Sequence, residues 1–528
     1  MKTSLQNQSL TPHPGNNNLR RGASSYRALR HFLPLTLCLL LASCVNIDKE
    51  VASRPTELWK PPAKALKKPD GQLGEGTRTG TTTHTASALV GMGALSLPIL
   101  VDIALENNPT TRTSWFAAKS VAAQYGDSLS DYYPSVTLNG TLTRERLKNQ
   151  FLANSEFYRT FYGPSLDVTW LLFNFGEREA LADAAREALY AANFDYNQTY
   201  QDVVLDVITA YFNLNAANAT LEATEALLAN SEATYEAARK KLKSGLGTKQ
   251  DALRSLANVK SAEAQQQQDI ANIEEARANL ANVLGIQVGA YLEIVPPAEP
   301  PSFEGIDSDV SKMLAVALEN RPAVLSAYAS VREADANLDA ARSALWPELS
   351  AGVTASNYIS DSPGFSDIQD YEAFIALEWD LFDGFSNVYN IQSIRAQARQ
   401  ARQELKSQEL EVVSQVWTYY FSFRSAIREV EATRAAVKAQ REAYDAINIG
   451  YQTGINSLLD LLTAQQDLDT SQQDLVQSEA ERSIAIANLA HAIGALPRVA
   501  QESAASVNAK AVAPETEEDF WQEYFGGP

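Results

Sequence analysis

The chain has 528 residues, which is enough for several ordinary domains or for one large elongated domain. Its 64 acidic and 44 basic residues give a formal net charge of -20, and the lack of a basic stripe argues against binding to nucleic acid. Both cysteines, Cys38 and Cys44, lie near the amino terminus, so the rest of the chain can form neither a disulfide nor a Cys-x-x-Cys metal site.

The amino terminus has the layout of a bacterial secretory signal. Arginines precede an apolar run at residues 31–43 that is too short to cross a bilayer as a stable helix. The run leads into LASC at 41–44, which resembles the lipoprotein processing box, where the cysteine thiol accepts a diacylglyceryl group. We therefore predict a lipoprotein signal peptide over residues 1–43 and lipidation of Cys44; the alternative is an ordinary signal with an incidental cysteine. By the same resemblance Val45 favours the outer membrane, because lipoproteins kept in the inner membrane usually carry Asp there.

Residues 44–95 are rich in Thr, Gly, Pro and Lys and show no apolar periodicity. Such a composition predicts a flexible tether, here anchored to lipid at its first residue. No later part of the chain offers 18 consecutive apolar residues, so the sequence predicts no transmembrane helix after the signal.

An internal duplication organises the rest of the chain. The sequence ALENNP at 104–109 recurs as ALENRP at 317–322, an offset of 213 residues. Beyond a segment near 135–169 the offset is 209, and it relates Trp170 to Trp379, Gly245 to Gly454, Asp251 to Asp460 and Gly285 to Gly494. We infer a first repeat at 96–290, a Pro-rich linker at 291–306, a second repeat at 307–496 and an acidic tail at 497–528.

Each repeat begins with a helical stretch, at about 96–131 and again at about 307–345. Two segments with period-two alternation follow, as in the run IALEWDL at 375–381. In that run Glu378 and Asp380 are expected to face a lumen while the apolar side faces lipid. A half-buried strand on a soluble core is the alternative.

The longest helices follow the strands. From 177 to 244 the chain is rich in Ala, Glu and Leu and lacks proline, which predicts a rod of about 100 Å. Turns at 243–248 and 452–457 then reverse the chain, and the return helices end near Gly285 and Gly494. We predict two long antiparallel helical hairpins that pack in coiled-coil style.

Four strands are too few to close a barrel in a membrane, where about eight is the practical minimum. An open sheet edge is not tolerated in hydrocarbon, because its backbone N–H and C=O groups find no partner there. If these strands lie in a membrane, two, three or four copies of the chain must share one barrel.

Two motifs connect this plan with a known family. The run YQTGINSLLDLLTAQ at 451–465 resembles the helix-turn-helix tip of the TolC-like outer-membrane efflux proteins, and WDLFDGF at 379–385 resembles their strand-to-helix junction. Together with the duplication, the resemblance covers residues 96–496. It implies a mainly α-helical fold with a small membrane β part. Three chains would share a twelve-stranded outer-membrane β-barrel that is continued by a periplasmic α-helical barrel.

The same resemblance implies a function without catalysis and without a cofactor or resident metal. The homotrimer would be a lipid-anchored outer-membrane channel that extends into the periplasm, as part of a tripartite export system. It would be a passive conduit for small molecules, such as drugs or metal ions, passed on by an inner-membrane pump and a periplasmic adaptor protein. The alternatives are the channel of a type I protein secretion system and, in a different class, a lipid-anchored periplasmic coiled-coil scaffold. Neither a Gly-Lys phosphate loop nor a Gly-x-Ser-x-Gly elbow occurs in the sequence.

Candidate site residues follow from the matched tip motif. The two turns are expected to form the adaptor-docking surface through Gly245, Leu246, Thr248, Gly454, Ile455 and Ser457. A left-handed helix C-cap explains the two glycines without any docking role. Asp251, Tyr451 and Asp460 are expected to narrow the periplasmic entrance, with Tyr451 bonded to Asp251. A ring of three Asp460 carboxylates would raise their pKa values by repulsion, whereas a simple helix-dipole contact is the alternative for both aspartates.

Trp170 and Trp379 each lie near the end of a predicted strand. They are expected at the lipid interface, where they would fix the depth of the barrel, although ordinary core aromatics would also fit. His491 is the one histidine outside the signal and the tether, and a lone helical histidine is usually packed or solvated.

Overall fold

The computed structural model describes residues 51–62, 95–149, 155–287, 293–296, 310–360 and 366–496. The predicted signal peptide, the lipidation site Cys44 and the acidic tail lie outside these described residues. The first repeat contains α1 (Leu97–Asn107), α2 (Pro109–Ser128), β1 (Ser135–Asn149), β2 (Ser155–Phe173), α3 (Glu177–Lys243) and α4 (Lys249–Val283). The second contains α5 (Val310–Asn320), α6 (Pro322–Ser343), β3 (Glu348–Ser360), β4 (Ile368–Glu378), α7 (Ser386–Thr453) and α8 (Leu458–Ala492).

The long helical hairpins are confirmed. α3 has 67 residues, so at 1.5 Å per residue it is about 100 Å long. α7 and α8 begin 209 residues after α3 and α4, which is the offset read from the sequence. The duplication is therefore a duplication of structure.

The first helical stretch of each repeat differs from its prediction as a single helix. It consists of two helices that meet at Asn108 and Pro109 in the first repeat and at Arg321 and Pro322 in the second. A proline pushes the residue before it out of the helical region, and Asn108 and Arg321 both have a ψ of 124°. Each break therefore starts a new helix with proline in its first turn.

The return helices end against these breaks. Gly285, after α4, and Gly494, after α8, have φ values of 69° and 77°. A Cβ on Gly285 would lie 2.9 Å from the Asn108 Cα, and a Cβ on Gly494 would lie 3.3 Å from the Arg321 Cα. Glycine is favoured here both by the left-handed backbone and by the close approach. The contact between the glycine and the helix break therefore occurs in both repeats.

The strands in the described part of the chain form one antiparallel sheet in the order β1-β2-β3-β4. Val136 pairs with Val168, Val168 with Val353, and Val353 with Ala373, so one apolar row crosses all four strands. The β2–β3 ladder joins the two repeats, and β1 and β4 are the edges of the sheet.

β4 ends at Glu378, earlier than the alternation in the sequence predicted. Its ladder stops where Glu378 pairs with Glu348, the first residue of β3, and Pro347 before it has no N–H to donate. Asp380 therefore lies beyond the strand, and its prediction as a strand residue is wrong.

Residues 51–62, which we call the docked strap, are an exception to the predicted flexible tether. The Trp59 side chain is 5% exposed. The Trp59 backbone N–H donates to the Asn197 side-chain oxygen, and Asn197 Nδ2 donates to the Trp59 carbonyl, both at 2.9 Å. Nearer the amino end of the strap, the Trp115 indole donates to the Ala52 carbonyl at 2.8 Å. The tether prediction is wrong for this segment, because its partners are far away in sequence and leave no local pattern.

In the described part of the chain, apolar cores pack the helices against each other. Val207 of α3 belongs to a core that α1, α3, α4 and α8 share, while Val416 of α7 belongs to a core formed with α5, α6 and α8. α8 contributes to both, through Ala487 and Leu489 respectively. It is therefore an element that binds the two repeats to each other.

Candidate functional site

The two hairpin tips have the same backbone turn. After α3, the Leu246 N–H donates to the Lys241 carbonyl at 2.8 Å. After α7, the Ile455 N–H donates to the Gly450 carbonyl at 2.7 Å. These bonds satisfy carbonyl groups that the helix itself leaves without a partner at its end.

Glycines shape both turns for two different reasons. Gly245 and Gly454 take the left-handed conformation predicted for a helix C-cap, with φ values of 76° and 84°. A Cβ at either position would meet nothing within 4 Å, so the backbone angle alone favours glycine there. At Gly450, by contrast, a Cβ would lie 1.8 Å from the Asn456 Oδ1. Sequence reasoning missed Gly450, although it is a glycine in an otherwise glycine-free helix of 68 residues.

Each turn presents an apolar side chain to solvent. Leu246 is 83% exposed and Ile455 is 84% exposed, and Leu459 in the first turn of α8 is 54% exposed. Thr248 and Ser457 are the N-caps of α4 and α8. The structure thus brings the six predicted docking residues together in two equivalent turns.

Asp251 and Asp460 close capping boxes at the starts of α4 and α8. The Thr248 hydroxyl donates to the Asp251 carboxylate at 2.7 Å, and the Ser457 hydroxyl does the same to Asp460. The hydrogen bonds from Ser457 hold the pKa of the Asp460 carboxyl below its ordinary value. A ring of three Asp460 carboxylates would instead raise the pKa. Such a ring needs three copies of the chain, so its repulsion is absent from the single chain.

Tyr451 is buried beside the second tip, and its contacts differ from those predicted. It is 8% exposed and packs with Leu458 and Leu461. The Lys241 Nζ donates to the Tyr451 carbonyl at 3.0 Å and lies 3.8 Å from the centroid of its ring. Burial raises the pKa of the Tyr451 hydroxyl, with a smaller contribution from the Asp251 charge. Sequence reasoning missed Lys241, since its partner lies 210 residues away.

The sheet has an apolar face and a polar face. On the apolar face Leu138 and Ile375 are both 73% exposed. On the polar face the Asp167 carboxylate accepts hydrogen bonds from Asn139 at 2.9 Å and from Thr354 at 2.8 Å. A sheet in water buries its apolar face against a core, whereas this face is open. The open apolar face is therefore unusual for a sheet in water.

Trp170 and Trp379 are held in the same way in both repeats. Their indole N–H groups donate to the carbonyls of Tyr132 and Leu345, each at 3.1 Å. Tyr132 and Leu345 correspond at the offset of 213 and lie where the preceding helical stretch ends. The two rings remain 45% and 53% exposed, so an interfacial role for them stays a prediction.

Away from the tips, a histidine and an aspartate join two long helices. His491, the one histidine among the described residues, has its Nε2 2.7 Å from the Asp202 Oδ1, which joins α8 to α3. In the described part of the chain, no group of three or more His, Cys, Asp or Glu side chains could hold a metal ion. Among these residues, no helix combines the length and the apolar character that a bilayer span requires.

The chain is similar in sequence to outer membrane efflux proteins. The chain matches the family model described as outer membrane efflux protein over residues 100–286 and 313–495. It is 29% identical to Protein CyaE of Bordetella pertussis over 75% of this chain and 84% of that protein. It is 26% identical to the toluene efflux pump outer membrane protein TtgI of Pseudomonas putida over 82% of this chain and 92% of that protein.

Solved structures share the fold. The outer-membrane channel OprN matches with a TM-score of 0.68 at 20% identity, covering 76% of this chain and 90% of that one. The outer membrane channel CmeC of Campylobacter jejuni matches with a TM-score of 0.67 at 16% identity, covering 81% of this chain and 98% of that one. The mainly helical architecture with a small sheet, as predicted from the sequence, is therefore confirmed.

Proposed function

Because this chain belongs to the outer membrane efflux protein family, we propose that three copies of it form the outer-membrane channel of a tripartite export system. The channel is a passive conduit, and an inner-membrane pump delivers small molecules to it through a periplasmic adaptor. The observation that carries the proposal is the four-stranded sheet, with its exposed apolar face and two unpaired edges.

The edges of the sheet favour a barrel shared between copies. β1 has 15 residues and β4 has 11, and about 9–11 residues suffice for a tilted strand to cross the hydrocarbon. Unpaired edge groups in hydrocarbon are costly, so β4 of one copy must pair with β1 of the next. Three copies would supply twelve strands, an even number within the range of outer-membrane barrels.

An apolar stripe on α7 supports the same assembly. Leu410, Trp417 and Phe421 are 62%, 50% and 46% exposed, and the last two rings are 5.1 Å apart. Their spacing of seven and four residues puts them on one face of the helix. We assign this face to the contact with the neighbouring copy, since exposed apolar stripes of this kind usually mark an interface.

The names of the relatives favour small molecules as the cargo of this channel. Several carry the words solvent, toluene or antibiotic efflux pump in their names. A periplasmic scaffold would account for the long helices, but it leaves the exposed apolar face of the sheet without a role.

The candidate site residues take their roles within this channel. We assign adaptor docking to the two tips, whose Leu246 and Ile455 side chains are the most open to a partner. Asp251, Tyr451 and Asp460 would narrow the periplasmic entrance. Cys44 would carry the lipid anchor, and Trp170 and Trp379 would lie at the lipid interface.

A photo-crosslinking amino acid at Ser457, in cells that make the full chain, tests the docking surface and the cargo class together. We expect capture of a periplasmic adaptor that serves a pump for small molecules. An adaptor tied to an ATP-driven secretion system would instead favour protein export. Gln267, exposed on α4 about 28 Å from Thr248, is a matched control that should capture no adaptor.

Two outcomes would count against the proposal. If neither Ser457 nor Thr248 captures an adaptor, the docking surface is wrong. If the purified protein runs as a monomer under conditions that preserve membrane barrels, the shared barrel is wrong, and the scaffold becomes the better account.

A further inference from the structure

Side chains from the two repeats meet at the hairpin tips. Lys241 lies in the last turn of α3, and Tyr451 lies in the last turn of α7. The Lys241 ammonium donates to the Tyr451 carbonyl at 3.0 Å and lies 3.8 Å from the ring centroid. One cation therefore makes a charge-assisted hydrogen bond and a cation–π contact with the same residue.

The Tyr451 side of this contact is fixed in place. Its ring is 8% exposed and packs with Leu458 and Leu461 of α8, so it is held rigidly within the second tip. The Tyr451 carbonyl also lies at the negative end of the α7 dipole, which favours a cation there. Lys241 thus binds a rigid part of the second hairpin and not a mobile side chain.

Above the tip, the hairpins are joined by buried polar contacts. Gln465 of α8 joins the second hairpin to the first by donating to the Ser231 hydroxyl of α3 at 2.9 Å and to the Leu227 carbonyl at 3.4 Å. Within the first hairpin, Asn258 of α4 also donates to Ser231, at 3.0 Å. Ser231 lies ten residues, or about 15 Å, above Lys241 along α3. About three helical turns of α3 therefore lie between the contact at Ser231 and the contact at Lys241.

We propose that Lys241 is a positioning residue that latches the second hairpin tip to the first within each chain, and that the entrance widens when this contact breaks. The inference rests on the proposed channel function. It differs from a gate held by the Tyr451 hydroxyl, because the latch uses the ring face and the backbone carbonyl. The Asp251 carboxylate, the expected partner of that hydroxyl, accepts hydrogen bonds from Thr248.

Distance measurements on the full-length protein test the latch without reference to transport. Spin labels carried by unnatural amino acids at positions 246 and 455 would report the separation of the two tips. In Lys241→Met we expect the population with separated tips to rise by about tenfold, because both contacts of the ammonium are lost. Lys243→Met is the matched control, since it removes an exposed lysine from the same turn, and its distances should equal those of the wild type.

Tyr451→Phe separates the two kinds of gate. It keeps the ring and the carbonyl, so the latch predicts tip distances close to those of the wild type. Tips that separate in Tyr451→Phe as much as in Lys241→Met would show that the hydroxyl holds the entrance and would overturn the inference. Unchanged distances in Lys241→Met would overturn it as well.

Planar-bilayer conductance of the same variants links the latch to the channel. We expect Lys241→Met to raise the open fraction by about tenfold and Lys243→Met to leave it unchanged. Tips that separate in a protein that never conducts would support the latch and count against the channel. A conducting protein in which Lys241→Met matches Lys243→Met in both measurements would leave the channel standing and refute the latch.

Discussion

Replacing Trp59 by alanine tests whether the docked strap is held by its aromatic side chain. The Trp59 ring is 5% exposed, and its centroid lies 5.8 Å from that of Tyr190 and 5.3 Å from that of Phe194. Deleting a buried Trp side chain costs about 3–5 kcal/mol where the surroundings do not collapse. The strap can undock without unfolding the helices, so we expect the lower end, about 3 kcal/mol. That free energy corresponds to a decrease of roughly 100-fold in the ratio of docked to undocked strap.

Hydrogen exchange of the strap amides measures this ratio. In Trp59→Ala the protection of the amide at position 59, which is bonded to Asn197, should fall by roughly 100-fold. Amides of α3 should keep their protection. Tyr389→Ala is the control, because it removes a ring that is 68% exposed near the start of α7. Protection in Trp59→Ala that stays within about threefold of the wild type would refute the view that this ring holds the strap.

Three further predictions concern the tips and the helical core. Gly450→Ala should loosen the second tip by about 1–3 kcal/mol, because its Cβ would lie 1.8 Å from the Asn456 Oδ1, and adding Asn456→Ala should restore most of the lost exchange protection. Because the Asp460 pKa is lowered in the folded chain, its stabilisation is present above the ordinary carboxyl pKa of about 4 and is lost as the pH falls through the folded value. Asp460→Asn should remove this acid sensitivity from the exchange of the tip amides. Burial raises the pKa of Tyr211 to about 12, so its stabilisation is complete below about pH 10 and is lost as the pH rises towards the folded value. Tyr211→Phe loses a 2.7 Å hydrogen bond to the Val295 carbonyl, so in thermal melts at pH 8 it should be about 1 kcal/mol less stable than the wild type. Between pH 8 and pH 11 the variant should then lose less stability than the wild type, because it lacks the titrating hydroxyl.

The long hairpins could be predicted because their determinants are local. Proline-free runs of Ala, Glu and Leu favour helix, and a Gly in the left-handed conformation followed by a Thr or Ser N-cap ends one helix and starts the next. Gly245, Thr248, Gly454 and Ser457 all take these roles in the structure. The duplication helped further, since each signal occurs twice at one offset.

The features that escaped prediction depend on partners that are distant in sequence. Trp59 lies in a segment without apolar periodicity, and its partner Asn197 lies 138 residues away. The helix break at Asn108 follows from the local presence of Pro109, but the contact that the break makes is not local. Gly285, at the end of α4, packs against the break from 177 residues further along the chain. Local patterns fix neither kind of contact, because tertiary packing selects the pair.

At the tips the duplication supplies the backbone, while the side chains break the symmetry. Lys241 and Gly450 correspond at the offset of 209, and their carbonyls accept the same turn hydrogen bond at 2.8 and 2.7 Å. The next positions, Leu242 and Tyr451, correspond in the same way. Two identical copies with Lys-Leu would lack the aromatic ring, and two identical copies with Gly-Tyr would lack the cation. The contact between Lys241 and Tyr451 therefore requires that the two repeats differ, and the asymmetry of the tips is what allows one repeat to hold the other.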